Sequence, residues 1–192
     1  MPDTIDEVLE ILHRTGDATN GNFNHGPMVA ETLHVLGRGD EAMSWVERYK
    51  TRLQDHPVAH DPIAGADWRE VLGERQRIGD WILFFDEELA EGPWPEVLNR
   101  WVPRLAPGLM AAAGHGLIRT SHAVRSLAAV ETPQRLHELA EGLGYWAGSY
   151  QLLPGTPSSR DAGHSPKEAL AHVQRIHGPD FDASGSIVGH LR

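Results

Sequence analysis

Gly114-His-Gly-Leu-Ile-Arg-Thr-Ser-His-Ala-Val-Arg125 decides the fold class of this chain. From Leu105 to Val130 there is no Asp, Glu or Lys, although 23% of all residues are charged. A surface helix carries a solvated charged face, and this stretch has only Arg119 and Arg125 to offer one. At about 100° per residue, Leu109, Ala113, Leu117, Val124 and Leu127 share one face, and His115, Arg119, His122 and Ser126 share the opposite one. The spacing predicts a central helix over residues 108–129, buried on two sides. Its apolar side packs, and its polar side walls an internal cleft.

The flanking segments read as helices too. Ile5, Val8, Leu9 and Leu12 make an apolar stripe over residues 3–13. Asn24 and Pro27 open a helix that buries Met28, Val29, Thr32, Leu33 and Leu36 and stops at Gly37. Asp40 opens a third, running to Gln54, and Asp67 a short one to Leu72. Ile78, Trp81, Ile82, Phe85 and Leu89 form a wide stripe ended by Gly92 and Pro93. Residues 95–105 follow with Pro103 inside. Thr132 and Pro133 then cap a helix to Leu153 with Leu136, Leu139, Leu143, Trp146, Ala147 and Tyr150 inward. Ser165-Pro-Lys-Glu168 matches a capping box, opening a helix that ends at Gly178 and Pro179. With no alternating strand pattern and no repeat, the class is all-α, a single helical domain over residues 1–192.

Composition narrows the chemistry. A formal charge of -10 and the lack of a basic stripe argue against nucleic acid. Without cysteine, thiol nucleophiles and zinc-thiolate sites are excluded, and a metal would need His and carboxylate ligands. No long apolar run or leader pattern is present, so a soluble cytoplasmic protein without a membrane partner is expected.

The twelve histidines are therefore the first candidates. Glu10 with His13, and Glu31 with His34, have the Glu-x-x-His spacing of di-iron bundles, but both pairs fall opposite their helices' apolar stripes and read as solvated surface. His60-Asp61 lies in a proline-bounded loop. His172 and His177 face different ways, His137 points away from its stripe, and His56, His164 and His190 fall in loops or the tail. His25, His115 and His122 remain, each with a buried address. His115 and His122 lie seven residues apart, about 10 Å along a straight helix, so one ion joins them only if the rings lean together. Buried histidines also occur simply hydrogen-bonded, and Arg119 then pairs with a distant carboxylate.

The stretches Asn24-His25-Gly-Pro-Met, Trp45-Val-Glu-Arg-Tyr49, Trp101-Val-Pro-Arg-Leu-Ala-Pro-Gly108, His115 to His122, and Tyr145-Trp146, in this order and spacing, resemble the questin oxidase-like family from His25 to Leu153. The resemblance implies a mostly helical fold and oxidative opening of a polyketide-derived aromatic ring, formally oxygen insertion beside a carbonyl, with NADPH as reductant. In some relatives it implies a non-haem iron held by histidines, here matched by His25, His115 and His122. Arg119, between two of these, is placed to steady an anionic oxygen species or a phenolate. Trp146 and Tyr150 are expected to line the substrate. Family proteins are longer, so a second helical half, or a partner chain or homo-oligomer, is expected to complete the site. Two other readings stand beside this one: a non-enzymatic helical module binding an apolar ligand, and a metal hydrolase built on His60-Asp61.

Overall fold

A computed structural model describes residues 4–153 and 165–172. The chain divides into two compact units, Met1–Leu152 and Leu153–Arg192. The first unit contains α1 (Thr4–Leu12), β1 (Thr15–Ala18), α2 (Gly26–Val35), α3 (Gly39–Tyr49), β2 (Leu53–Asp55), α4 (Ile78–Glu91), α5 (Trp94–Leu105), α6 (His115–Ala129) and α7 (Pro133–Gly148). In the second, α8 (Pro166–His172) opens on the expected capping box, with the Ser165 N–H donating to Glu168 Oε2 at 2.8 Å and Glu168 N–H donating back to the Ser165 hydroxyl. The expected end of that helix, Gly178 and Pro179, lies outside the described residues.

The helix most deeply enclosed is α7. From Glu138 to Gly148 every one of its residues is buried, because α4 and α6 flank it along its length and α1 and α5 reach it as well. Glycines let these helices approach. A Cβ on Gly116 of α6 would lie 2.5 Å from the Trp146 Cα, and one on Gly144 would lie 2.9 Å from the backbone nitrogen of Ile82 in α4. Contacts that close exclude any side chain.

Two apolar clusters form. Trp81, Phe84 and Phe85 of α4, Trp101 of α5, and Leu139, Leu143 and Trp146 of α7 make the larger one, with edge-to-face rings such as Phe85 on Trp101 at 5.0 Å. The smaller one joins α1, α2 and α3 through Val8, Leu9, Leu12, Ala30 and Val46. This second group, with β1 and β2, lies against α6 and α7 through α2 and α1.

The helix expected to reach Leu153 ends at Gly148, and four further expectations change in the structure. The third helix ends at Tyr49, and the chain turns through residues 50–52 into β2, which pairs antiparallel with β1. Residues 67–72 form turns rather than a helix, although Trp68 is buried. Leu36 is exposed, since α2 turns Pro27, Met28, Ala30 and Glu31 inward instead. The central helix begins at His115, not at residue 108: Ala112, Ala113 and Gly114 all adopt left-handed backbone, which breaks the α-helical path and leaves Leu109 and Met110 at the surface. Two alanines there cost about 1–2 kcal/mol each, so tertiary packing fixes this turn against local preference. Among the described residues no helix is long and apolar enough to cross a membrane.

Candidate functional site

Along α7, Arg135, Glu138, Glu141 and Tyr145 recur at helical spacing and form a polar line beside the apolar stripe of Leu139, Leu143 and Trp146. All four are buried. Arg119 of α6 donates to both oxygens of Glu138 at 2.7 and 2.9 Å and lies 3.2 Å from Glu141. His13, at the end of α1, meets Glu138 at 3.0 Å, and His56, just after β2, meets Glu141 at 2.6 Å. Burial alone would raise the Glu141 carboxyl; Arg119 first, then His56, outweigh it and bring the group down to about 2. Glu138 is lowered by the same guanidinium, again against its burial. The two carboxylates raise Arg119 in return. A third histidine, His137, bonds Asp86 of α4 at 2.8 Å and is raised by it.

Above this line opens a cleft of about 220 Å3 whose walls include Asp17, Asp55, Arg75, Arg119, Glu141 and Tyr145. The Tyr145 hydroxyl donates to Asp17 at 2.9 Å. Arg75 bonds Asp17 at 3.0 Å and Tyr145 at 3.3 Å, and its guanidinium lies over the Phe23 ring at 5.5 Å. Burial, then Asp17, push the phenol upward, so Tyr145 stays a proton donor. Three carboxylates thus face two guanidiniums that are already paired. The cleft offers hydrogen-bond acceptors.

The residues singled out from sequence separate. His25 and His115 meet edge to face at 4.9 Å, with Phe23 and Tyr145 also against the His115 ring. Burial, followed by Arg119, depresses His115 to about 3, so it is neutral, and its Nε2 has no hydrogen-bond partner. His25 donates from Nδ1 to the Phe23 carbonyl at 2.8 Å. His122 is elsewhere, bonded to Glu31 at 2.7 Å beside Arg125, which donates to both Glu31 oxygens. Among the described residues no three His or carboxylate groups converge as metal ligands. His25, His115 and His122 do not fit one three-histidine centre, since the third ring is committed to α2.

Arg119 does line the cleft, but its charge is spent on Glu138 and Glu141, so an oxyanion would compete with two buried carboxylates for it. Trp146 lies in the apolar core with its indole N–H toward the Gly108 carbonyl at 3.4 Å, and Tyr150 packs over Gly108. Neither belongs to the cleft lining.

Other surface assignments also change. Glu31 is 3% exposed, because α2 lies on α6 and the carboxylate meets His122 and Arg125. His13 is turned inward by the α1 contact with α7. His60 and Asp61 use their backbone N–H groups to cap Asp80, at 2.6 and 2.9 Å, which gives the pair a structural task. His164, His177 and His190 lie outside the described residues.

Asp17, Arg75, Glu138, Glu141 and Tyr145 were missed from the sequence. For α7 a signal existed, in the regular spacing of Glu138, Glu141 and Tyr145 on a helix with Gly142, Gly144 and Gly148, where close neighbours leave no solvated face. Asp17, in the four-residue strand β1, and Arg75, in a three-residue 3-10 turn, sit in elements too short to show a periodicity.

The questin oxidase-like family model matches residues 23–188. That span is most of the 192 residues, and the chain belongs to this family. No curated protein and no solved structure matches it.

Proposed function

We propose that this chain is an oxidoreductase that holds a hydroxylated aromatic, polyketide-type compound in the cleft beside Tyr145 and Glu141 and oxidises it with dioxygen. Family membership supports the reaction class. The observation that carries the substrate class is the acceptor-rich lining: Asp17, Asp55 and Glu141 open onto a space whose cations already have partners. Donor hydroxyls satisfy such a lining, and an anionic substrate does not. At about 220 Å3 the cleft is at the small end of ligand sites and admits one or two rings of a larger molecule.

Glu141, held ionised, receives a hydroxyl hydrogen bond and is a weak base. Tyr145 is locked onto Asp17 and shapes the wall. An oxygen insertion beside a carbonyl would place one atom of dioxygen in the product and release the other as water, with two electrons and a proton balance from NADPH as external reductant. A second reading, ligand binding without turnover, draws on the histidine geometry.

Oxygen uptake with NADPH and a series of hydroxynaphthoquinones and hydroxyanthraquinones tests both. Substrate-dependent uptake is expected, with KM raised about tenfold in Asp17→Asn, the equivalent of one lost hydrogen bond to a charged group. Saturable binding without uptake selects the binding module. If the compounds neither bind nor are turned over, the cleft assignment is wrong.

A further inference from the structure

Residues 23–25 separate the cleft just described from a second depression of about 350 Å3. Asn24 faces the first, and Phe23 and His25 line the second, together with Asn20, Asn22, Tyr49 and Arg52. The chemistry reverses across this partition. No carboxylate lines the second depression. Arg52 has no carboxylate partner among the described residues, and its exposed guanidinium is left with all its donors.

Tyr49 and Asn20 are also left as donors. Tyr49 accepts the His25 backbone N–H at 3.0 Å through its hydroxyl oxygen, so its own O–H proton points to no protein acceptor, and stacking on Trp45 at 4.6 Å fixes the ring. Asn20 uses its side-chain oxygen to accept from the Asn22 N–H at 3.1 Å, which leaves its NH2 free. His25 gives its Nδ1 hydrogen to the Phe23 carbonyl, so Nε2 of the neutral ring is an acceptor and adds no donor to the opening. Between these donors lie the aromatic edges of Phe23 and Tyr49.

We propose that this depression is a second ligand site, taking the oxyanion end, phosphate or carboxylate, of a small molecule against Arg52, Tyr49 and Asn20. Guanidinium and phenol donors around one opening match an oxyanion in charge and in hydrogen-bond sense. The protein's overall charge of -10 repels anions at long range, so affinity here arises from the local donor set and not from the general field. The site stands on its own residues and does not depend on the oxidation proposed above.

Titration of the full chain with inorganic pyrophosphate and, separately, with benzoate, followed by NMR of the Thr19 to Asn22 amides and the Arg52 side-chain N–H, tests the assignment. Saturable shifts confined to these signals are expected from at least one of the two anions. Response to pyrophosphate alone identifies a phosphate site, and response to benzoate alone an aromatic carboxylate site. Arg52→Gln is expected to weaken binding at least tenfold, and Tyr49→Phe several-fold. Arg48→Gln removes an equal charge from the same helix end outside the depression and is expected to leave affinity unchanged. Absence of saturable shifts with both anions, or equal weakening by Arg48→Gln and Arg52→Gln, overturns the proposal.

Discussion

The two faces of α7 are equally buried and are built from opposite materials. On one, Leu139, Leu143 and Trp146 interlock with the aromatic rings of α4 and α5. On the other, Arg135, Glu138, Glu141 and Tyr145 meet Asp6 and His13 from α1 and its end, Asp17 from β1, His56 from the segment after β2, and Arg119 from α6. Apolar packing is non-directional and degrades by degrees as atoms are removed. A buried ion network is all or nothing: removal of one member strands the others without water. The apolar face accounts for why α4, α5 and α7 stay together, and the charged face for how α1, the β2 loop and α6 are positioned around a cleft.

The contrast breaks most sharply at Arg119. Replacement by Met strands Glu138 and Glu141, and urea unfolding is expected to show a loss of about 3–5 kcal/mol. Adding Glu138→Leu to that variant is expected to restore part of the loss. If the double variant is less stable than the single, the network is not the unit described. On the other face, Leu143→Ala is expected to cost about 2–4 kcal/mol by leaving a cavity, with no second substitution on the charged face able to compensate.

The pH dependence of stability separates the faces further. Glu138 and Glu141 lie below their ordinary value of 4.5 in the fold, Glu141 at about 2. Their contribution is complete above about 4.5 and is lost as pH falls toward 2. His137 is raised above 6.5, chiefly by its hydrogen bond to Asp86, so its contribution is present below 6.5 and is lost as pH rises through the raised value. Melting curves across pH are expected to decline on both sides. Asp86→Asn flattens the alkaline limb only, and Leu143→Ala lowers the whole curve without changing its shape; a change of shape in Leu143→Ala would mean that the faces are coupled. The smallest effect is expected at the start of α7, where the Thr132 hydroxyl accepts the Arg135 N–H at 3.3 Å. Thr132→Ala should cost about 1 kcal/mol.

Sequence legibility follows the same division. The stripes Ile5 to Leu12, Ile78 to Leu89 and Leu136 to Trp146 were readable as helices because apolar burial leaves a period of 3.6 residues, and the order of short motifs was enough to reveal the family. Reading polar residues off the stripe as solvated failed at His13 and Glu31, since a wheel describes one helix and says nothing of a second helix lying on its polar side. It failed also at Ala112 and Ala113, good helix formers held in a left-handed turn.

By itself, then, the sequence determined the helical class, most helix cores, the absence of thiol chemistry and the family. Only the tertiary structure decided which histidines meet, that Arg119 is neutralised by two carboxylates of α7, and that acceptor-rich and donor-rich openings lie on either side of Phe23 to His25. The physical reason is range. Helix formation and apolar patterning are written within a few residues, whereas pairs such as His13 with Glu138, Asp17 with Tyr145 and Glu31 with His122 join positions some ninety or more apart, and their partners become fixed only when the packed helices have excluded water.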